Sequence, residues 1–151
     1  VALVYTASTD VAARVPGRTI GASTKPTTTQ VETWLYEGEA YLKGALSAGG
    51  ITAPVAGTDG GKLMTTWATD FAEAHVRMSW ASTAGDENKD GQSIMDRFDK
   101  LIQDILARPA IYQGMLNSGG GSASSTDTAG ANTDPDADDF VDAEFERGEV
   151  Y

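Results

Sequence analysis

The sequence predicts an all-α protein: a small helical bundle of three long helices plus short flanking helices, followed by a long extended acidic C-terminal tail. Three observations carry this. Apolar residues recur at i, i+3, i+4 spacing in three long segments. No alternating apolar/polar run long enough for a strand interrupts them. The composition then changes at Asn117, where Ser118-Gly119-Gly120-Gly121-Ser122-Ala123-Ser124-Ser125 opens a polar, acidic stretch. A Gly/Ser run is a flexible coil, and an acidic stretch with few apolar residues does not bury enough surface to offset its ordering entropy.

Each element follows from its own residues. Residues 6–15 predict a short first helix, with Thr9 or Asp10 as N-cap and Val15-Pro16-Gly17 as its stop. Residues 18–26 read as a polar extended connection, since the residue before Pro26 is pushed away from helix. Thr27 and Gln30 have capping-box spacing and open the second helix. Its stripe is Val31, Trp34, Leu35, Gly38, Leu42, Ala45 and Leu46, and Gly49-Gly50 supplies a left-handed stop. Gly38 falls on that stripe and costs about 1 kcal/mol against Ala, which close approach of another helix would offset. A loop containing Pro54 leads to a third helix over residues 61–82, with Leu63, Met64, Trp67, Phe71, Ala74, Met78 and Ala81 on one stripe. Trp80 lies off that stripe and is expected to be covered by the chain termini or a neighbouring subunit. Residues 85–90 read as a polar turn. A fourth helix over 91–107 carries the apolar face Ile94, Met95, Phe98, Leu101, Ile102, Ile105 and Leu106, and Pro109 suits the first turn of a last short helix over 109–116. The chain thus divides into a helical domain, 1–117, and a Gly/Ser linker with an acidic arm, 118–151.

Net charge is −11, unevenly spread: residues 118–151 hold nine acidic residues and Arg147, a net −8, leaving −3 for the body. Neither part has the Lys/Arg surplus that phosphate neutralisation needs. Without cysteine there is no disulfide, thiolate nucleophile or Cys-ligated zinc. No apolar run reaches the length of a membrane span. Val1-Ala2-Leu3-Val4-Tyr5 lacks a basic flank and a cleavage site, so it does not read as a signal peptide.

The sharpest local motif is Asp86-Glu87-Asn88-Lys89-Asp90-Gly91, which matches the start of an EF-hand loop. Such a loop closes with a bidentate Glu at position twelve, and that position is Arg97, with Ser93 at position eight. Asp86, Asn88 and Asp90 are therefore weak metal candidates, and a turn with a helix cap explains them as well. The lone His75 sits among charges with no second metal-ligating histidine at helical spacing, and reads as a packing or surface residue. Gly60-Gly61-Lys62 lacks the leading glycine of a phosphate loop. Asp96, Arg97, Asp99 and Lys100 read as a solvated or subunit-facing surface. No constellation points to catalysis or to a cofactor. In the tail, Phe140, Val141, Phe145, Val150 and Tyr151 are apolar anchors in acidic surroundings, a pattern suited to docking on a partner.

Tyr5-Thr6 with Pro16-Gly17-Arg18-Thr19-Ile20, and Lys25-Pro26-Thr27 with Gln30-Val31-Glu32 and Trp34-Leu35, resemble the start of the small helical head–tail connector proteins (adaptors, or head-completion proteins) of tailed bacteriophages. Ala74-His75-Val76-Arg77 and the run from Asp104-Ile105 to Arg108-Pro109-Ala110-Ile111-Tyr112 are similar too, so the resemblance covers residues 5–116. It implies a structural virion protein of the neck, made in the bacterial host cytoplasm, with no catalytic activity and no membrane contact. About twelve copies would close into a ring by head-to-tail contacts beneath the portal protein. That ring would extend the channel through which DNA passes and present a surface to the next neck or tail protein. The alternative from a different class is a calcium-responsive helical binding module built on residues 86–91.

Overall fold

The computed structural model describes residues 2–80 and 85–117, with residues 85–88 as backbone alone. Five helices follow one another: α1 Ser8–Arg14, α2 Thr28–Ala48, α3 Asp59–Trp80, α4 Gly85–Ala107 and α5 Pro109–Asn117. All lie in the compact unit Val1–Gly121. Among the described residues there is no sheet, only an isolated bridge between Gly21 and Thr27. The all-α bundle expected from the periodicity is the observed fold.

The central helix is α3, which packs on each of the other four. One core cluster lies among α2, α3, α4 and α5 and includes Leu42, Leu46, Met64, Phe71, Phe98 and Ile105. The other joins α1, α2 and α3 through Val11, Val31, Leu35, Ala72 and Val76. Trp34 is half-buried and touches both clusters. Full burial of an aliphatic side chain contributes about 1.5–3 kcal/mol, against about 1 kcal/mol for a helix cap. The completely buried Leu35, Leu42 and Leu46 therefore anchor α2, and its cap only sets where it begins.

That cap is the expected one: Gln30 N–H donates to Thr27 Oγ1 at 3.2 Å, and Thr27 N–H donates to Gln30 Oε1 at 2.9 Å. At the other end, Ile51 N–H reaches Leu46 O at 2.8 Å and Gly50 N–H reaches Ser47 O at 3.0 Å. This is the Schellman pattern, and only Gly50, at φ +73°, is left-handed. Gly38 does sit where α2 meets α3: a Cβ there would lie 3.2 Å from Ala68 O and from Phe71 Cβ.

Three expectations are corrected. The N-cap of α1 is Ala7, not Thr9 or Asp10. Alanine has no side-chain oxygen, so only half a capping box forms, with Ala7 N–H donating to Asp10 Oδ2 at 2.7 Å. Trp80 is covered by the connection before α2, a partner its sequence position did not suggest: its Nε1–H donates to Lys25 O at 2.8 Å, and the Arg18 guanidinium lies 4.5 Å from its ring centre. Residues 85–90 are the first turns of α4, not a turn. Gly91 lies inside that helix, where a Cβ would fall 2.9 Å from Ala74 O and 2.8 Å from Met78 Cγ, so glycine at this point lets α4 pack closely against α3.

One buried charge fastens the segment before α1. Glu39, 1% exposed, stands on the inner face of α2. Its carboxylate accepts the N–H groups of Val4 (3.1 Å), Tyr5 (2.9 Å) and Thr6 (3.1 Å), and the Thr6 hydroxyl (2.9 Å). Tyr5 then donates its phenol to Pro54 O at 2.6 Å and accepts the Thr65 hydroxyl on its carbonyl at 2.7 Å. Burial alone pushes the Glu39 carboxyl up, but the Tyr5 and Val4 N–H bonds, the Thr6 hydroxyl and the Lys43 charge outweigh it and hold it below its ordinary value. A buried charge is tolerated only when paired and hydrogen-bonded, and here the polar contacts among the described residues are made by the strap 4–6 and by Lys43, 3.4 Å away.

Candidate functional site

Because α3 holds α2 and α4 to either side of itself, a trough opens between those two outer helices. Tyr36, Tyr41 and Ala45 line it from α2, and Ile102 and Leu106 line it from α4. Its volume is about 580 Å³. A neighbouring hollow of about 460 Å³ shares Tyr41 and Ile102 and is floored by Phe71 and His75 of α3. Helical spacing explains the α2 wall: Ala40, Gly44 and Ala48 recur every fourth residue and keep it low. On α4, Met95, Ile102 and Leu106 continue the apolar face past the part that α3 covers.

The neighbouring hollow has an aromatic floor. His75 stacks on Trp34 with ring centres 5.3 Å apart and an interplanar angle of 17°, and meets Phe71 edge-on at 4.6 Å. Phe71 also contacts Tyr41 at 5.6 Å and Phe98 at 5.0 Å. Burial holds the His75 imidazole below its ordinary value, with the Glu37 carboxylate pulling weakly the other way. The ring is therefore neutral at pH 7. With a neutral histidine, the charged side chains lining the two hollows are Glu37 on α2 and Asp99 on α4. The exposures are high for large apolar groups: 47% for Tyr36, 60% for Tyr41 and 49% for Leu106.

The metal candidates expected from the sequence fall elsewhere. Asp86, Asn88 and Asp90 lie in the opening turns of α4. An EF-hand loop wraps a non-helical backbone around its ion, and residues 86–90 do not have one. Asp90 is exposed and lies 3.9 Å from Arg77, at the end of a charge cluster in which Arg77 also pairs with Glu73 (2.8 Å), and Arg14 with Glu73 (3.5 Å) and Asp70. Among the described residues no group of three or more histidines or carboxylates is placed to hold a metal ion, and no helix is long and apolar enough to cross a membrane. Phe140, Val141, Phe145, Val150 and Tyr151 lie outside the described residues. His75 is a packing residue, as its sequence setting suggested.

Two features escaped the reading of the sequence. Glu39 occupies the register Leu35, Glu39, Leu42, Leu46, and a carboxylate in phase with an apolar stripe is the signal that marks it. Tyr36 and Tyr41 flank that stripe, and the four-residue spacing of Ala40, Gly44 and Ala48 beside them marks the trough. No family model, curated protein or solved structure matches this chain.

Proposed function

We propose that this chain is a structural protein of the phage neck, a head–tail connector that forms a ring under the portal, extends the DNA channel and joins capsid to tail. One observation of the fold supports it. A body with a closed core of its own nevertheless leaves Tyr36, Tyr41 and Leu106 exposed together along one trough. Contiguous exposed apolar surface marks an interaction site, and a small helical body bearing one is suited to assembly. The resemblance over residues 5–116 supplies the kind of assembly. In this reading the protein acts as scaffold and not as catalyst. Copies meet head to tail, since only heterologous contacts close into rings of more than two. The arm beyond Asn117 docks on a partner in the neck through Phe140, Val141, Phe145, Val150 and Tyr151, its acidic residues selecting a basic surface.

The test is to mix the purified protein with portal rings and count bound copies by mass photometry and electron microscopy. A closed ring of this protein on each portal is the expected outcome. One or two copies per portal ring, or none, overturns the connector reading.

A further inference from the structure

We infer that the trough between α2 and α4 is the seat of a basic amphipathic helix from a partner protein. The inference builds on the reading of this chain as an assembly component, but it requires only the trough, so the portal-binding test and the test below fail independently.

Shape comes first. The trough and the hollow beside it share Tyr41 and Ile102, with α2 and α4 as walls and α3 flooring the hollow; a further helix laid along them would complete a four-helix arrangement. From Tyr36 to Ala48 the α2 wall rises about 18 Å, a little over three turns. Ala40, Gly44 and Ala48 allow an incoming helix to lie low on that wall. Tyr41, Ile102 and Leu106 present the apolar surface that anchors at i, i+3 or i+4, and i+7 would fill, the helix-in-groove mode of recognition.

Charge selects among occupants. Each of the two adjoining hollows carries one carboxylate, Glu37 of α2 in the trough and Asp99 of α4 in its neighbour, and among the described residues neither is lined by lysine or arginine. His75 beneath them is neutral at pH 7 because burial depresses its pKa. An apolar floor between acidic rims fits a helix with an apolar stripe flanked by Lys or Arg. It disfavours the arm of this same chain, whose residues 118–151 carry a net −8, since like charge across an interface is repulsive.

The probe is a synthetic peptide of about 18 residues, long enough to span ~27 Å as a helix. It carries Leu at i, i+3, i+4 and i+7 positions, Lys elsewhere and a fluorescent label. Its comparator has Glu at every Lys position. Anisotropy titration against the full chain is expected to show saturable binding of the Lys peptide, at least about tenfold tighter than the Glu peptide near 20 mM salt, with the gap narrowing near 150 mM. The double variant Glu37→Lys/Asp99→Lys, both exposed sites, is expected to reverse that preference, and Leu106→Asp to weaken both peptides. Circular dichroism checks the fold of each variant. If Leu106→Asp does not fold, the charge reversal alone decides.

Three results overturn the proposal. The first is no saturable binding of the Lys peptide. The second is Lys-peptide affinity unchanged in every variant, which places the peptide on the acidic arm. The third is self-association of the peptide-free protein that Leu106→Asp abolishes, which gives the trough to a second copy of this chain.

Discussion

Glu39 Oε1 accepts both the backbone N–H and the hydroxyl of Thr6, at 3.1 and 2.9 Å, across 33 residues of chain. Removing one side of such a contact leaves buried donors without a partner. Glu39→Leu is expected to cost about 3–5 kcal/mol. Glu39→Gln keeps an acceptor but loses the charge, and its cost should be smaller, about 1–3 kcal/mol. Urea unfolding of the two variants checks both the magnitudes and their order. A Glu39→Leu protein as stable as the parent contradicts the latch.

The same carboxylate shapes the acid limb of stability. Its folded pKa is held below the unfolded value, so its contribution is fully present above about pH 4.3 and is lost as pH falls through the folded value. The stability gap between parent and Glu39→Gln is therefore expected to be constant from about pH 8 to 5 and to narrow below about pH 4. A pH series of unfolding midpoints reads this directly.

His75 acts in a higher window. Burial lowers its pKa, so the unfolded chain binds the proton more readily than the folded one. Stability then falls as pH drops below about 6.5, the unfolded value, and levels off below the folded value. His75→Phe keeps an aromatic ring against Trp34 and Phe71 and removes the titration. Its unfolding midpoint is expected to stay flat between about pH 7 and 5, where the parent's declines.

Two glycines inside helices should respond to alanine with opposite signs. At Gly44 a Cβ meets nothing within 4 Å, so Gly44→Ala is expected to gain about 0.5–1 kcal/mol from helix propensity alone. At Gly91 the new methyl meets Ala74 O and Met78 N at 2.9 and 3.1 Å. Backbone atoms cannot step aside cheaply, so Gly91→Ala is expected to lose about 1–3 kcal/mol. Thermal melts of the pair compare the two effects side by side.

Truncation after Asn117 tests the division between body and arm. Leu116, 2% exposed, closes the core at the end of α5, and Tyr112 donates its phenol to Asp104 at 2.6 Å, fixing α5 against α4. The truncated chain is expected to keep its helical circular-dichroism signal and cooperative melt while failing to assemble stably on portal rings. Loss of the cooperative melt makes the arm part of the fold.

The long helices were legible because each carries its instruction locally. The Thr27–Gln30 box starts α2, the apolar stripe of α2 defines its buried face, and Pro109 opens α5. What escaped depends on partners distant in sequence. Asp86 to Gly91 has every local feature of a turn, yet Gly91 is there to fit under Ala74 and Met78, a fact of α3 and not of its own neighbours. Trp80 looks misplaced on its helix until Lys25 and Arg18, more than fifty residues earlier, are brought alongside. The trough is harder still, because an exposed tyrosine is ordinary on a helix. Only the joint placement of Tyr36, Tyr41 and Leu106 on two separate helices makes the surface continuous.

The strap held by Glu39 also orders events in time. Residues 4–6 leave the ribosome before Glu39, and well before Pro54 and Thr65, the other groups that fix Tyr5. Until α2 and α3 have been made and brought together, the strap has nothing to grip, and Glu39 remains a hydrated charge on a half-formed face. Early synthesis and late seating therefore belong to the same few residues, and the carboxylate completes its desolvation only when the helices around it are already in place.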